Sequence, residues 1–225
     1  MKQIKRNQKG FTLVEIAIVL VIIGLLLGGV LKGQEMIESS RIKSVVGDMN
    51  GMSAAYNTYI DRFRTIPGDE AVGTMTARGW TGNQGGNVNG ALDIAMIDTF
   101  ANTGEQPALL RALRGSGILT GSPTVTIGQI SLPRAGTGGL IGVAVGPYGM
   151  AGPSVCVSGL TTAQALGVDT TIDGALPANN IGNNAGSARG ASGAVNPLDP
   201  VAAAPAALAY NATTTATPWT MCRRL

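Results

Sequence analysis

The chain has 225 residues, 33 of them glycine, with only 13% charged and 4% aromatic residues and a formal net charge of +3. It contains no histidine, which excludes hydrolytic triads built on an imidazole base and most zinc sites. Its basic balance does not imply a nucleic-acid partner, because Lys2, Lys5, Arg6 and Lys9 supply four of the sixteen basic residues within a ten-residue segment that has no acid. The rest of the chain carries twelve basic and thirteen acidic groups. A phosphate-binding surface needs clustered Lys and Arg on a folded domain. The densest pairs there, Arg62/Arg64, Arg111/Arg114 and Arg223/Arg224, are too thin to make one.

Residues 1–10 read as a short basic leader that lacks an apolar stretch and stops at Gly10. Phe11 then opens an apolar run to Leu31, broken by one carboxylate, Glu15. A secretory signal peptide places its apolar region before the cut, whereas here it follows Gly10. The arrangement Gly10-Phe11-Thr12-Leu13-Val14-Glu15 resembles the prepilin signal of type IV pilins and type II secretion pseudopilins. That resemblance implies cleavage between Gly10 and Phe11 by a prepilin peptidase and N-methylation of Phe11. It also implies an assembly role for Glu15, paired with the terminal amine of an adjacent subunit. The simpler alternative for Glu15 is a helix N-terminal carboxylate favoured by the macrodipole. Positive charge ahead of a span holds that end in the cytoplasm.

Phe11 to Leu31 is 21 residues, about 32 Å as a helix and enough to cross a bilayer core. No proline occurs before Pro67. Apolar residues continue at Ile37, Ile42, Val45, Val46, Met49, Met52, Tyr56, Ile60 and Phe63, in steps of mostly three and four. The spacing predicts one helix over residues 12–64, apolar all round in its first half and amphipathic in its second. Gly24, Gly28, Gly29 and Gly33 lie inside it and are compatible with close helix packing or with local unwinding.

The helix should end at Arg64–Asp69, where Pro67-Gly68 is turn chemistry. Tyr59, Phe63, Pro67, Gly68 and Asp69 resemble the helix closure of a subset of pilin-like proteins. Trp80, the Gly82–Gly90 loop, the helix-forming stretch Glu105–Leu113 with Gly115, and Val168–Gly174 resemble that subset further. After Leu119 the pattern turns to strands at Thr124–Leu132, Leu140–Val145 and Ser154–Ser158. Thr161–Leu166 could make one or two helical turns. From Gly174 to Pro218 the composition of Ala, Gly, Asn, Thr and Pro predicts a long loop. Cys156 and Cys222 bracket it and read as one disulfide in an exported domain, or as two free buried thiols. The pair also resembles the cysteines that fasten the C-terminal variable region of many pilins.

Asp93, Asp98 and Glu105 near the Asn/Gly loop could suggest calcium, but the D-x-[DN]-x-[DN]-G spacing is absent, and solvated loop acids are the simpler expectation. Asp169 and Asp173 are expected in turns. Tyr56, Tyr59 and Phe63 share a helical face and are expected to form a core stripe against the β domain. No catalytic, cofactor-binding or metal-binding constellation emerges.

The expected fold class is α+β and pilin-like, a long N-terminal helix packed on a C-terminal antiparallel β-sheet domain with long loops. The expected organisation is a cleaved leader (1–10), a helix (11–64; 11–31 transmembrane, 32–64 amphipathic), and a globular domain (65–225) with a variable loop (174–221). The resemblance implies a non-enzymatic subunit of a bacterial pilus or pilus-like filament. Its partners would be other pilin subunits, the inner-membrane assembly platform, prepilin peptidase and, before assembly, membrane lipid. It would sit in the inner membrane with its N-terminus cytoplasmic, then in an extracellular pilus or periplasmic filament. A secretion pseudopilin, or a membrane-anchored enzyme or binding module with a pilin-like anchor, are the alternatives.

Overall fold

Helix α1 runs from Leu13 to Phe63 in a computed structural model that describes residues 10, 12–123, 132–174, 184–205 and 218–225. The chain divides into two units, Met1–Ser40 and Arg41–Leu225. In the first, α1 passes Gly24, Gly28, Gly29 and Gly33 without interruption. Its large apolar side chains from Leu13 to Leu31 are exposed. The helix is long and apolar enough to cross a membrane, with a mean hydropathy of 2.8 over its best 18-residue window. Lys32 and Glu35 form an exposed ion pair at 2.9 Å.

In the second unit α1 buries Val45, Met49, Met52, Ala55, Tyr56 and Tyr59, with Ile42, Val46, Ile60 and Phe63 partly covered. The three- and four-residue steps put these side chains on one face. Ile37, expected in the same stripe, is exposed and belongs to the first unit. At the end of α1 the Arg64 amide donates to Ile60 O at 2.8 Å, and Arg64 turns left-handed at φ 58°. Gly68 follows at φ 100°, where a Cβ would stand 2.7 Å from Leu92 Cδ1 and 3.0 Å from Leu109 Cβ. Only glycine meets both the backbone angle and the close approach there.

Helix α2 (Val72–Ala77) and a 3-10 turn (Met96–Asp98) precede α3 (Gln106–Gly115), which opens with Pro107 in its first turn. Strands β1 (Ile141–Val145) and β2 (Pro153–Leu160) follow, then α4 (Thr162–Asp173), β3 (Ala188–Ser192) and β4 (Trp219–Arg224). Among the described residues all strand pairs are antiparallel, in the order β1-β2-β4-β3. The fold is therefore α+β, with a long N-terminal helix and a C-terminal four-stranded sheet. Alternation along the strands separates two faces. Ile141, Val143, Val155, Val157, Trp219 and Met221 join the main core with α1, while Ala144, Cys156 and Cys222 face a second cluster with Tyr148 and Met150.

Three expectations need correcting or bounding. The strand expected at Thr124–Leu132 lies, but for Leu132, outside the described residues. Thr161–Leu166 grows into the twelve-residue α4, started by a capping box in which the Gln164 amide donates to Thr161 Oγ1 and the Thr161 amide to Gln164 Oε1. The stretch 174–218, expected to be loop throughout, contains β3. Its small side chains give no local strand signal, and it is held by pairing to β4, where Gly190 faces Met221 and Ala188 faces Arg223.

Candidate functional site

Thr12 and Glu15 interlock at the start of α1. The Thr12 amide donates to Glu15 Oε2 at 2.8 Å, Thr12 Oγ1 donates to the same oxygen at 2.7 Å, and the Glu15 amide donates back to Thr12 Oγ1 at 3.3 Å. This reciprocal arrangement is a capping box and satisfies amides that have no partner within the helix. The spacing Thr-x-x-Glu was present in the sequence and would have identified Thr12 as the residue that fixes the Glu15 side chain. Both residues are exposed, and Glu15 Oε1 accepts no hydrogen bond among the described residues. Glu15 is thus a held carboxylate with one oxygen open to an external cation, at the head of an exposed apolar helix. Gly10 is also exposed, while Phe11 lies outside the described residues.

At the other end of α1 a polar cluster closes the domain. The Tyr59 hydroxyl donates to Glu70 Oε2 at 2.7 Å, Arg78 Nη1 bonds the same oxygen at 2.6 Å, and Thr65 donates to the other carboxylate oxygen. Burial works against the Glu70 carboxylate, but the bonds from Thr65, Tyr59 and Arg78 prevail and hold its pKa below the usual range. Burial, then the bond to Glu70, pushes the Tyr59 hydroxyl upward. The Arg78 guanidinium lies 4.7 Å from the Phe63 ring centre and 5.2 Å from that of Trp80, within cation–π range of both rings. Phe63 and Trp80 meet edge to face at 5.4 Å, and Tyr59 lies 4.6 Å from Phe63. The aromatic line of α1 therefore packs partly on Trp80 and Arg78, both within the 65–225 domain expected to cover it. Glu70 and Arg78 were not singled out from the sequence.

Arg111, paired with Arg114 in the count of surface charge, is fully buried on α3. It donates to the carbonyls of Trp80, Thr81 and Gln84 at 2.5, 3.1 and 2.6 Å and to Thr76 Oγ1 at 3.2 Å. Glu105, expected to be a solvated acid, is buried and accepts the amides of Asn87 and Asp93 at 3.0 and 2.7 Å. It frames the Asn/Gly loop from below, as Asp69 does through the amides of Asn89 and Gly90. Asp93 is exposed and bonded by Asn87, while Asp98 accepts from Thr103. Among the described residues no three His, Cys, Asp or Glu side chains group as metal ligands. Asp169 and Asp173, expected in turns, lie on α4, with Asp169 buried. Asp173 accepts the amides of Ser187 and Ala188 at 3.0 and 2.8 Å and so fixes the start of β3. Cys156 and Cys222 form a disulfide with an S–S distance of 2.06 Å.

The comparison with curated proteins gave no match. Residues 5–31 match a family model described as a prokaryotic N-terminal methylation motif. That segment contains Gly10, Phe11, the Thr12–Glu15 capping box and the exposed apolar helix to Leu31, so the chain carries the prepilin signal of type IV pilins and pseudopilins.

Proposed function

We propose that the chain is a structural subunit of a bacterial type IV pilus or pilus-like filament, without enzymatic activity. The observation that carries this reading is Glu15, a carboxylate held by Thr12 at the head of an apolar helix whose side chains are exposed from Leu13 to Leu31. An exposed apolar surface of that extent marks an interaction site with lipid or protein, and the methylation motif at residues 5–31 supports processing and assembly with other pilins. Prepilin peptidase would cleave after Gly10 and expose the Phe11 amine. In the membrane Glu15 would lie near the headgroups. In the filament its open oxygen would accept the amine of a neighbouring Phe11, which sets the axial register of helices packed in a dry core.

A pseudopilin shares every N-terminal residue used in this argument. The disulfide between Cys156 and Cys222 and the long region it brackets favour a surface pilus. Intact mass and N-terminal peptide sequencing of membrane and sheared surface fractions test the proposal. The expected result is surface filaments of this chain that begin at N-methylated Phe11. A mature chain that retains Lys2–Gly10 would overturn the assembly reading, and filaments confined to the periplasm would move the chain to the pseudopilins.

A further inference from the structure

The sequence has two Asn-Gly steps, Asn50-Gly51 and Asn89-Gly90. Such a step is open to spontaneous deamidation, because glycine has no side chain to hinder its amide nitrogen. That nitrogen loses its proton to hydroxide and attacks Cγ of the asparagine, ammonia leaves, and a five-membered succinimide forms. Water then opens the ring at either carbonyl to give aspartate or isoaspartate. Asn50-Gly51 lies within α1, where the helical ladder engages the glycine amide. Asn89-Gly90 lies in an exposed loop outside every helix and strand of the described residues. The turn needs both residues. Gly90 sits at φ 84°, a left-handed angle that favours glycine. Asn89 braces the turn with its side chain, Oδ1 accepting the Ala91 amide at 2.8 Å and Nδ2 donating to Asp93 Oδ2.

One carboxylate brackets the step. Asp69 Oδ1 accepts the Asn89 amide at 2.9 Å, and Asp69 Oδ2 accepts the Gly90 amide at 2.8 Å. Asp69 is buried, and its own backbone is tied to the loop, since the Val88 amide donates to Asp69 O at 3.0 Å and the Gly86 amide to Glu70 O at 2.7 Å. Attack by the Gly90 nitrogen requires its N–H to leave a charge-assisted bond, which is stronger than a neutral one. It then requires negative charge to develop on nitrogen beside a carboxylate, which like charge opposes. The bonds at both ends of the Asn89 carboxamide resist its rotation, and departure of ammonia breaks the one to Asp93.

We infer that Asn89-Gly90 is a deamidation site held closed by the Asp69 carboxylate, and that it reacts only when the loop opens away from Asp69. Conversion to aspartate removes the donor to Asp93 and sets a third carboxylate beside Asp69 and Asp93. Isoaspartate also lengthens the backbone of the turn. Either product opposes reclosure, so each modified loop stays open. The site lies wholly within the second unit and does not rest on the filament reading.

The test is timed incubation of the full chain in nonionic detergent and mildly alkaline buffer, with aspartate and isoaspartate at residue 89 read by peptide mapping. The same chain unfolded in urea with its disulfide reduced gives the unguarded rate. The folded parent should form product at Asn89 at least tenfold more slowly than the unfolded chain. Asp69→Asn keeps the size and removes the charge, and should raise the folded rate at least tenfold with Asn50 at its parent rate. Glu105→Gln loosens the same loop through the amides of Asn87 and Asp93. It should quicken their hydrogen exchange while Asn89 stays near the parent rate. Exchange of the Gly90 amide in the parent tests the contact without a variant, and should be at least tenfold slower than in the unfolded chain. If Asn50 accelerates in Asp69→Asn, that variant has unfolded and the Gly90 exchange decides. Equal folded and unfolded rates at Asn89, unslowed exchange at Gly90, a parent rate in folded Asp69→Asn, or equal acceleration by Glu105→Gln would overturn the assignment.

Discussion

Cys156 on β2 stands directly opposite Cys222 on β4, with Cα atoms 4.0 Å apart, so the disulfide joins two strands that are already paired. Because β4 lies between β2 and β3, the bond secures the strand through which the C-terminal segment enters the sheet. It closes a separation of 66 residues, for which the chain-entropy relation gives about 4 kcal/mol. The paired variant Cys156→Ala/Cys222→Ala should lose about 2–5 kcal/mol in chemical denaturation and become more sensitive to protease between residues 174 and 218. A non-reducing peptide map should show the linked pair. Two thiols alkylated without reductant would refute it.

The Glu70 cluster predicts an acid-dependent stability. A carboxylate held below its unfolded value, about 4.3, contributes stability that is complete above that value. The contribution is lost as pH falls through the lower folded value. Glu70→Gln should cost roughly 2–3 kcal/mol at neutral pH through its charge-assisted bonds, and the difference from the parent should shrink as pH falls below about 4. Urea midpoints of parent and variant from acid to neutral pH measure this. Two curves separated by a constant gap would show that Glu70 is not the linked group.

Much of this arrangement was legible because its signals are local. Val45, Met49, Met52, Tyr56 and Tyr59 recur at helical spacing, and α1 buries them. Gly10 to Glu15 is a contiguous motif, and the family match falls on it. What was missed depends on partners far along the chain. Arg111 bonds groups 27 to 35 residues earlier, and Ala188–Ser192 becomes a strand only beside β4. The α4 start is different: Thr161-x-x-Gln164 is a local capping signature, and the helix it opens runs on to Asp173.

Arg111 gives a test of that long-range network. Arg111→Met keeps the aliphatic stem and leaves the carbonyls of Trp80, Thr81 and Gln84 short of donors in a buried setting. Each unmade bond costs about 1–3 kcal/mol, so the variant should lose at least ~3 kcal/mol. Arg111→Lys should recover only part, since one ammonium cannot reproduce the planar fork. Hydrogen exchange of residues 76–90 should quicken in both variants. Unchanged exchange there would mean that the loop is held by Asp69 and Glu105 alone.

Glu15 caps the start of α1, and the proposed assembly role is a second one that a pair of substitutions separates from it. As the last residue of the Thr12–Glu15 capping box it stabilises the start of α1, and as a charge it would pair with a neighbouring Phe11 amine. Glu15→Gln retains a side-chain acceptor suited to the capping box but removes the charge, whereas Glu15→Val removes both. Either change takes a charge from an apolar helix, so membrane insertion should be unchanged or improved. Cleavage after Gly10 should also be unaffected. A filament core would keep the neighbouring amine buried without its partner, which is costly at every subunit. Both variants should therefore reduce sheared filament yield at least tenfold while membrane and processed fractions stay normal. Normal filaments from Glu15→Gln alongside failure of Glu15→Val would assign Glu15 to helix capping, and normal filaments from both would remove it from the assembly mechanism.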